Sequence, residues 1–527
     1  MAVFELVIFL LFVGALLSGL ARRARVPYPA LLALAGAALA LIPGTPSVTL
    51  DPELALALFV APVLLDAAFD SSPRDLKENW RAVTGLALAA VGLTVAAVAV
   101  VVRWLVPDMP WSAAIALGAI VAPPDAAAAT AVLRQLKLPH HVLVILEGES
   151  LFNDASALLI YRLAVAATVT GAFSGWGVVP LLLVVCLGSI VLGAVLSRVA
   201  MATLPRIHDV ATAVIAQFLS TFAVWMIAER LHLSGIITVV VFAITVARSA
   251  PDLTPARLRL PSYAVWEVVV FVLNVLAFIL IGLQLKPILE RLSEKELITY
   301  LETGAAVTAA VILVRIVWIM GYAGIGNWIR DRFGGRFNRP ARYVSLGAAT
   351  AIAWCGMRGI VTLAAALALP DGVHGPLAFP YRDLILFSAF AVVLGTLVLQ
   401  GVTLTPLIRV LRLEDDGSVD REVRLARAET TRAALDAVDG TGAREDMVEL
   451  LRRKYQDRLQ RAEGVINGGS VTGESAYLIA QRRAQTAQRR KLSELRASGV
   501  IGDDAFHRVE EELDWADVNV DGMARGD

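Results

Sequence analysis

"AIALGAIVAPPDAAAATAVL", residues 114–133, reads as a membrane helix with a break in its middle. Pro123 and Pro124 remove two backbone donors and bias Ala122 away from helical geometry, and Asp125 stands at the break. A second stretch has the same character: "GAATAIAWCGMRGIVTLAAAL", residues 347–367, where Gly356 and Gly359 bracket Arg358. A broken helix in lipid leaves peptide groups unpaired, which is tolerable only where protein or water covers them. It also exposes half-helix ends carrying partial charge. Asp125 is expected to complement the positive end of the second half of its own span, and Arg358 the carbonyl ends in its own.

The surroundings agree with a membrane setting. The 527 residues are 57% hydrophobic and 18% charged, with mean hydropathy +0.68, which excludes an ordinary soluble domain. Apolar runs long enough to cross a hydrocarbon layer of about 30 Å recur along the first 410 positions. They predict an all-α polytopic protein with about 13 spans, near 2–21, 28–43, 53–69, 83–106, 111–135, 141–166, 176–198, 209–229, 233–249, 264–285, 302–326, 343–369 and 382–410. The first run is read as a retained span, because no basic residue precedes it and "RRAR" follows without a cleavage site. Formal net charge is zero, so nothing argues for a nucleic-acid partner. Cys186 and Cys355 lie far apart in apolar runs and read as packing residues.

Spans 1–6 and 8–13 form two six-span halves around span 7, and the broken fifth and twelfth spans occupy equivalent places in them. An offset of seven spans inverts direction, so the halves are expected to be inverted repeats. Transporters of that architecture place an ion site where two broken helices cross at mid-membrane. The loops at 22–25, 73–81, 134–141, 198–206, 248–259 and 330–342 carry most of the loop Lys and Arg. The positive-inside rule then puts the N-terminus outside and the C-terminal tail in the cytoplasm of a multi-pass cell-membrane protein. From Leu413 the sequence becomes charged and helix-periodic, so the expected division is a transmembrane domain, 1–412, and a helical, regulatory cytoplasmic tail, 413–527. Removing 420–527 is expected to alter pH dependence or assembly and to leave the basic activity.

One span carries unusual polarity. "GESLFNDASALLIY", residues 148–161, places Glu149, Ser150, Asn153 and Asp154 within an apolar run. An ionised Asp near a helix centre costs roughly 2.5–3.5 kcal/mol to insert, so neither carboxylate is expected to face lipid. At i, i+4, Ser150 and Asp154 share one face, and Glu149 and Asn153 share the adjoining one. The first suits a small hard cation; the second suits pairing with a neighbouring helix. Arg315 in span 11 is the expected partner of Glu149. Asp154 is then the carboxylate that holds either a proton or a monovalent cation, but not both. Competition for that single carboxylate predicts electroneutral one-for-one exchange. His140, His141, Arg162, Glu229 and His232 read as loop or interfacial residues, and Glu267 and Asn274 share a stripe of span 10.

"EGESLFNDASALLIY" resembles the signature of the monovalent cation:proton antiporter-1 family, the sodium/proton antiporters related to bacterial NhaP proteins and animal NHE exchangers. "LFVAPVLLDAAFD" (58–70), "VAPPDAAAATAVL" (121–133), "LHLSGIITVVVF" (231–242), "NVLAFILIGLQL" (274–285), "GMRGIVTLAAALALP" (356–370) and "LVLQGVTLTPL" (397–407) are similar to it in the same order. The resemblance implies exchange of Na⁺, with K⁺ or Li⁺ as alternatives, for H⁺ in the service of pH homeostasis. It implies Asp154 as the cation- and proton-binding residue, Ser150 and Asn153 beside it, and a structural Glu149–Arg315 pair. Asp125 and Arg358 would lie at the crossing. It further implies a homodimer in lipid whose six-helix core moves like an elevator. Where many relatives have Thr-Asp-Pro, this chain has Pro124-Asp125-Ala126, so a hydroxyl of the ion site is missing; Thr130 is the nearest hydroxyl in span 5.

Other readings fit less well. A channel would show a filter of carbonyls or a ring of charges. An aspartyl protease using Asp125 and Asp154 would need a Gly-x-Gly-Asp context. Neither a nucleotide P-loop nor HExxH occurs, so no nucleotide, cofactor or enzymatic activity is expected. A proton- or cation-coupled symporter of a small solute is the alternative function.

Overall fold

The computed structural model describes residues 2–24, 27–43, 52–125, 129, 139–170, 175–289, 294–333, 345–370, 379–413, 415 and 417–439, with single positions and short stretches between 449 and 513. All regular structure among them is helical. Residues Met1–Asp416 form one compact unit and Gly417–Asp527 another. The second contains the exposed, charge-rich helix Ser418–Asp439. Most of the expected tail helices after it lie outside the described residues.

In the first unit the helices are α1 (Ala2–Ala24), α2 (Tyr28–Ala40), α3 (Pro52–Ala55), α4 (Ala61–Asp70), α5 (Pro73–Glu78), α6 (Trp80–Thr84), α7 (Val91–Leu105), α8 (Trp111–Val121), α9 (His140–Thr170), α10 (Gly175–Thr203), α11 (Val210–Arg230), α12 (Gly235–Leu253), α13 (Ala256–Leu283), α14 (Leu285–Leu289), α15 (Glu294–Phe333), α16 (Leu346–Trp354), α17 (Ile360–Leu367) and α18 (Arg382–Leu411). Three starts are set by side-chain caps: Ser72 accepts from the Asp75 N–H, Asp209 from Thr212 and Ser345 from Ala348.

Among the described residues seven helices are long and apolar enough to cross a membrane: Phe4–Ala21, Trp80–Leu105, Leu183–Thr203, Val210–Arg230, Leu258–Leu289, Glu296–Ile325 and Arg382–Leu411. Others at expected span positions are shorter, or, like α9, interrupted by charge. Two helices overrun their apolar segments: α13 begins eight residues before 264, and α15 extends past both ends of 302–326. Hydropathy registers only the lipid-depth portion, whereas backbone hydrogen bonding carries a helix on into the interface. Large apolar side chains such as Phe12, Leu183, Leu219 and Val317 are exposed, as a lipid-facing surface requires.

Packing sorts these helices into two sets. A frame comprises α1, α2, α4 and α10–α13. A crossing bundle comprises α6–α9 and α15–α18. In the frame, α2 meets α13 without side chains between them: a methyl on Gly36 would collide with the Ile279 carbonyl, and one on Gly282 with the Ala33 carbonyl. In the bundle, a π-helical turn at Gly85–Ala90 loosens the backbone between α6 and α7, and the Ser156 hydroxyl of α9 donates to the Ala87 carbonyl there at 2.6 Å.

Candidate ion-binding site

The two breaks meet. Helix α8 ends at Val121, α16 at Trp354, and α17 restarts at Ile360. In an unbroken helix the Asp125 N–H would donate to the Val121 carbonyl. Here it turns away and donates to the Met357 carbonyl at 2.6 Å. Arg358, 1% exposed, reaches back: Nε donates to the Val121 carbonyl at 3.1 Å, Nη2 to Ala122 at 3.3 Å, and Nη1 to Gly356. Its own N–H is taken by the Thr396 hydroxyl of α18 at 3.0 Å. Asp125 packs its carboxyl against Gly359, the residue before α17, where any side chain would collide with it.

Each charge therefore serves the other span. Sequence reasoning assigned Asp125 to its own second half-helix, which lies almost wholly outside the described residues, together with Thr130. The structure places the carboxyl against Gly359, at the positive start of α17. Arg358 was expected to meet span 12 carbonyls; of its three, only Gly356 belongs to that span. Pro123 and Pro124 are buried at the crossing.

Helix α9 runs beside the crossing and divides its polar residues between two directions. Glu149, 1% exposed, forms a two-pronged pair with Arg315 of α15, 3% exposed: Nη2 lies 2.8 Å from Oε2, and Nη1 bonds Oε1. Arg315 Nη2 also donates to the Ile352 carbonyl at 3.0 Å, which ties α9, α15 and α16 together, and Gly356 packs on the arginine stem. Asn153 is fully buried, and its amide has no hydrogen-bond partner among the described residues. Ser150 and Asp154 face the other way, into a cavity of about 950 Å³.

Asp154 is only 5% exposed. Asp125 lines the same cavity, and the two carboxylates repel one another, a repulsion that a cation or proton relieves. The cavity reaches Leu204, Thr254 and Arg259, in the loops expected to be cytoplasmic. Its oxygen donors suit a hard monovalent cation as cargo. Among the described residues no group of three or more His, Cys, Asp or Glu is arranged to hold a resident metal.

Sequence reasoning missed Asp66 and Glu147, which also line the cavity. Glu147 was detectable: it lies seven residues before Asp154, on the same helical face as Ser150. Asp66 carried no local signal beyond its place in an apolar run. Two of the residues read as loop or interfacial find partners: Arg162 makes two 2.9 Å bonds to Glu229 of α11, and His140 lies 3.3 Å from Asp75.

Comparison with known proteins places the chain. It is 31% identical to an uncharacterized Na⁺/H⁺ exchanger of Mycobacterium tuberculosis, over 98% of this chain and 96% of that one. It is 30% identical to a sodium, potassium, lithium and rubidium/H⁺ antiporter of Bacillus pumilus, over 86% and 70%. Its fold matches that of the sodium proton antiporter MjNhaP1 from Methanocaldococcus jannaschii, with TM-score 0.60 and 18% identity, covering 76% of this chain and 99% of that one. The family described as sodium/hydrogen exchanger, transmembrane, matches residues 8–410. The resemblance drawn from residues 147–161 holds, and this integral membrane protein belongs to the sodium/hydrogen exchanger family.

Proposed function

We propose that this protein exchanges a monovalent cation for protons across the cell membrane, one for one, by competition at Asp154. The observation that carries this reading is a buried carboxylate at mid-span, with Ser150 and Asp125 beside it, lining a cavity that runs to one face of the protein. A proton on Asp154 blocks the cation, and a cation displaces the proton. The bundle then carries either passenger past the frame. Sodium is the first candidate, with potassium and lithium as alternatives. The cavity opens toward the cytoplasm if the Arg- and Lys-rich loops lie inside, with the N-terminus outside and the tail cytoplasmic. Two copies are proposed to pair as a dimer.

The test uses proteoliposomes with an imposed pH gradient, a pH-sensitive dye and the membrane potential clamped at zero. Addition of Na⁺, K⁺ or Li⁺ should collapse the gradient, and Asp154→Asn should abolish the response. A response that persists in the variant moves the site to Asp125. A protein shown to be folded that responds to no cation overturns the reading. The cavity volume would admit a small solute as well, so collapse that requires such a solute would establish symport instead.

A further inference from the structure

The proposed exchange assigns the wall of the cavity that carries Asp154 and leaves the facing wall unassigned. That wall belongs to frame helices α11 and α13. Gln217 and Ser220 on α11 and Glu267 on α13 line it. Phe218 packs at a tilt against Trp266, with ring centroids 4.1 Å apart, and so joins the two helices beside these residues. Seven residues along α13, roughly 10 Å by the rise of a helix, Asn274 lines the same cavity on the same face as Glu267.

Asn274 is 5% exposed, and its Oδ1 has no hydrogen-bond partner among the described residues. A buried amide oxygen is normally satisfied. The Asn274 amide lines a space that also holds carboxylates, and a half turn about its terminal bond brings this enclosed oxygen to face the positively charged occupant expected there. It sits at the middle of the apolar segment 264–285, as Asp154 sits at the middle of 141–166, so the two are at similar depth on opposite walls.

We infer that Asn274 is a frame-side ligand of the transported cation. Its carbonyl oxygen, with Glu267 two turns nearer the mouth, makes a waiting position for a partly hydrated monovalent cation on its way to Asp154. The inference rests on the exchange reading and adds an asymmetry to it. Asn274 does not belong to the bundle that carries Asp154, so it serves the cation only while the cavity is open on this side. A neutral amide does not bind protons, so it favours the cation without competing for H⁺.

The test measures the cation concentration giving half-maximal exchange from each face of the membrane in oriented proteoliposomes, with Na⁺, K⁺ and Li⁺ as probes. Asn274→Leu should raise that concentration about two- to tenfold on the cavity side. The value from the opposite face and the proton dependence should stay unchanged, and detailed balance then requires the maximal rate from the cavity side to rise, relative to that from the opposite face, by the same factor. Glu267→Gln, at an exposed position, should shift the cavity side in the same direction by less. An unchanged value, an equal rise on both faces, or a fall in maximal rate alone would overturn the waiting position. Wild-type protein that shows no cation-dependent exchange would instead overturn the exchange reading beneath it.

Discussion

Asp125 and Arg358 exchange hydrogen-bond partners across the crossing. The Asp125 N–H leaves the Val121 carbonyl for Met357, and the Arg358 guanidinium takes up the carbonyl that was vacated. The broken ends of spans 5 and 12 are thus satisfied by each other, and the crossing folds as a single object.

Arg358→Ala should therefore be more damaging than loss of one charge. It strands the Val121 and Ala122 carbonyls in a buried setting, at a cost of about 3 kcal/mol or more. Arg358→Lys keeps the charge but not the planar fork, and should recover less than half of that loss. Thermal unfolding in detergent, followed by size-exclusion chromatography, measures both. Equal midpoints for wild type and Arg358→Ala would show that the crossing holds without the guanidinium.

How much of this was legible in the sequence follows from how local each feature is. The breaks announce themselves through Pro123, Pro124, Gly356 and Gly359, and the division of Ser150 and Asp154 from Glu149 and Asn153 follows from helical spacing alone. The partners do not. Nothing within either span says that Arg358 reaches Val121, that Thr396 takes its N–H, or that Arg162 finds Glu229. Those contacts depend on how helices far apart in sequence are packed. Nor does the sequence of Gly85–Ala90 announce that its Ala87 carbonyl takes a hydroxyl from α9.

The Glu149–Arg315 pair yields a sharper test than either residue alone. Glu149→Leu leaves a buried guanidinium unpaired and should cost about 3–5 kcal/mol of stability. Glu149→Leu combined with Arg315→Met removes both charges and should recover most of that cost, whatever it does to transport. Thermal midpoints of the two single variants and the double variant form the cycle. A double variant as unstable as the sum of the singles would refute the pairing argument.

Arg162 and Glu229 join the bundle to the frame through half-exposed side chains, at 49% and 37%. An exposed pair contributes about 0.2–1 kcal/mol, enough to shift a two-state balance up to about fivefold. Arg162→Glu should reduce labelling of a Ser220→Cys reporter by a membrane-impermeant thiol reagent applied from the cavity side, with Cys186 and Cys355 replaced. The exchanged pair Arg162→Glu/Glu229→Arg should restore it. Unchanged labelling in the single variant would show that the pair does not bias the conformation.

Asp75, in the short α5 ahead of α6, offers a pH test outside the membrane. Burial pushes its carboxyl up, but bonds from His140, Ser72 and Arg74 outweigh that and hold it below its ordinary value. A depressed carboxyl stabilises the fold above its unfolded pKa of about 3.9 and loses that contribution as pH falls through the lower folded value. Asp75→Asn should cost about 1 kcal/mol at pH 7, and the difference from wild type should shrink as pH falls below the unfolded value. Thermal midpoints across that range decide it; a difference that grows in acid would reverse the sign.

The mutual satisfaction of the two broken spans bears on leakage. Glu149 with Arg315, and Asp125 with Arg358, bring matched opposite charges to the bundle, so on the proposed cycle the change in its electrical state comes from the passenger on Asp154. With a proton or a cation aboard, the charge on Asp154 is compensated and the bundle moves past lipid and frame at a lower cost. Empty, it bears one more negative charge and is held back by the same dielectric penalty that keeps ions out of bilayers. Fidelity of coupling then needs no gate that inspects the passenger, because an unladen return stroke is the slow one.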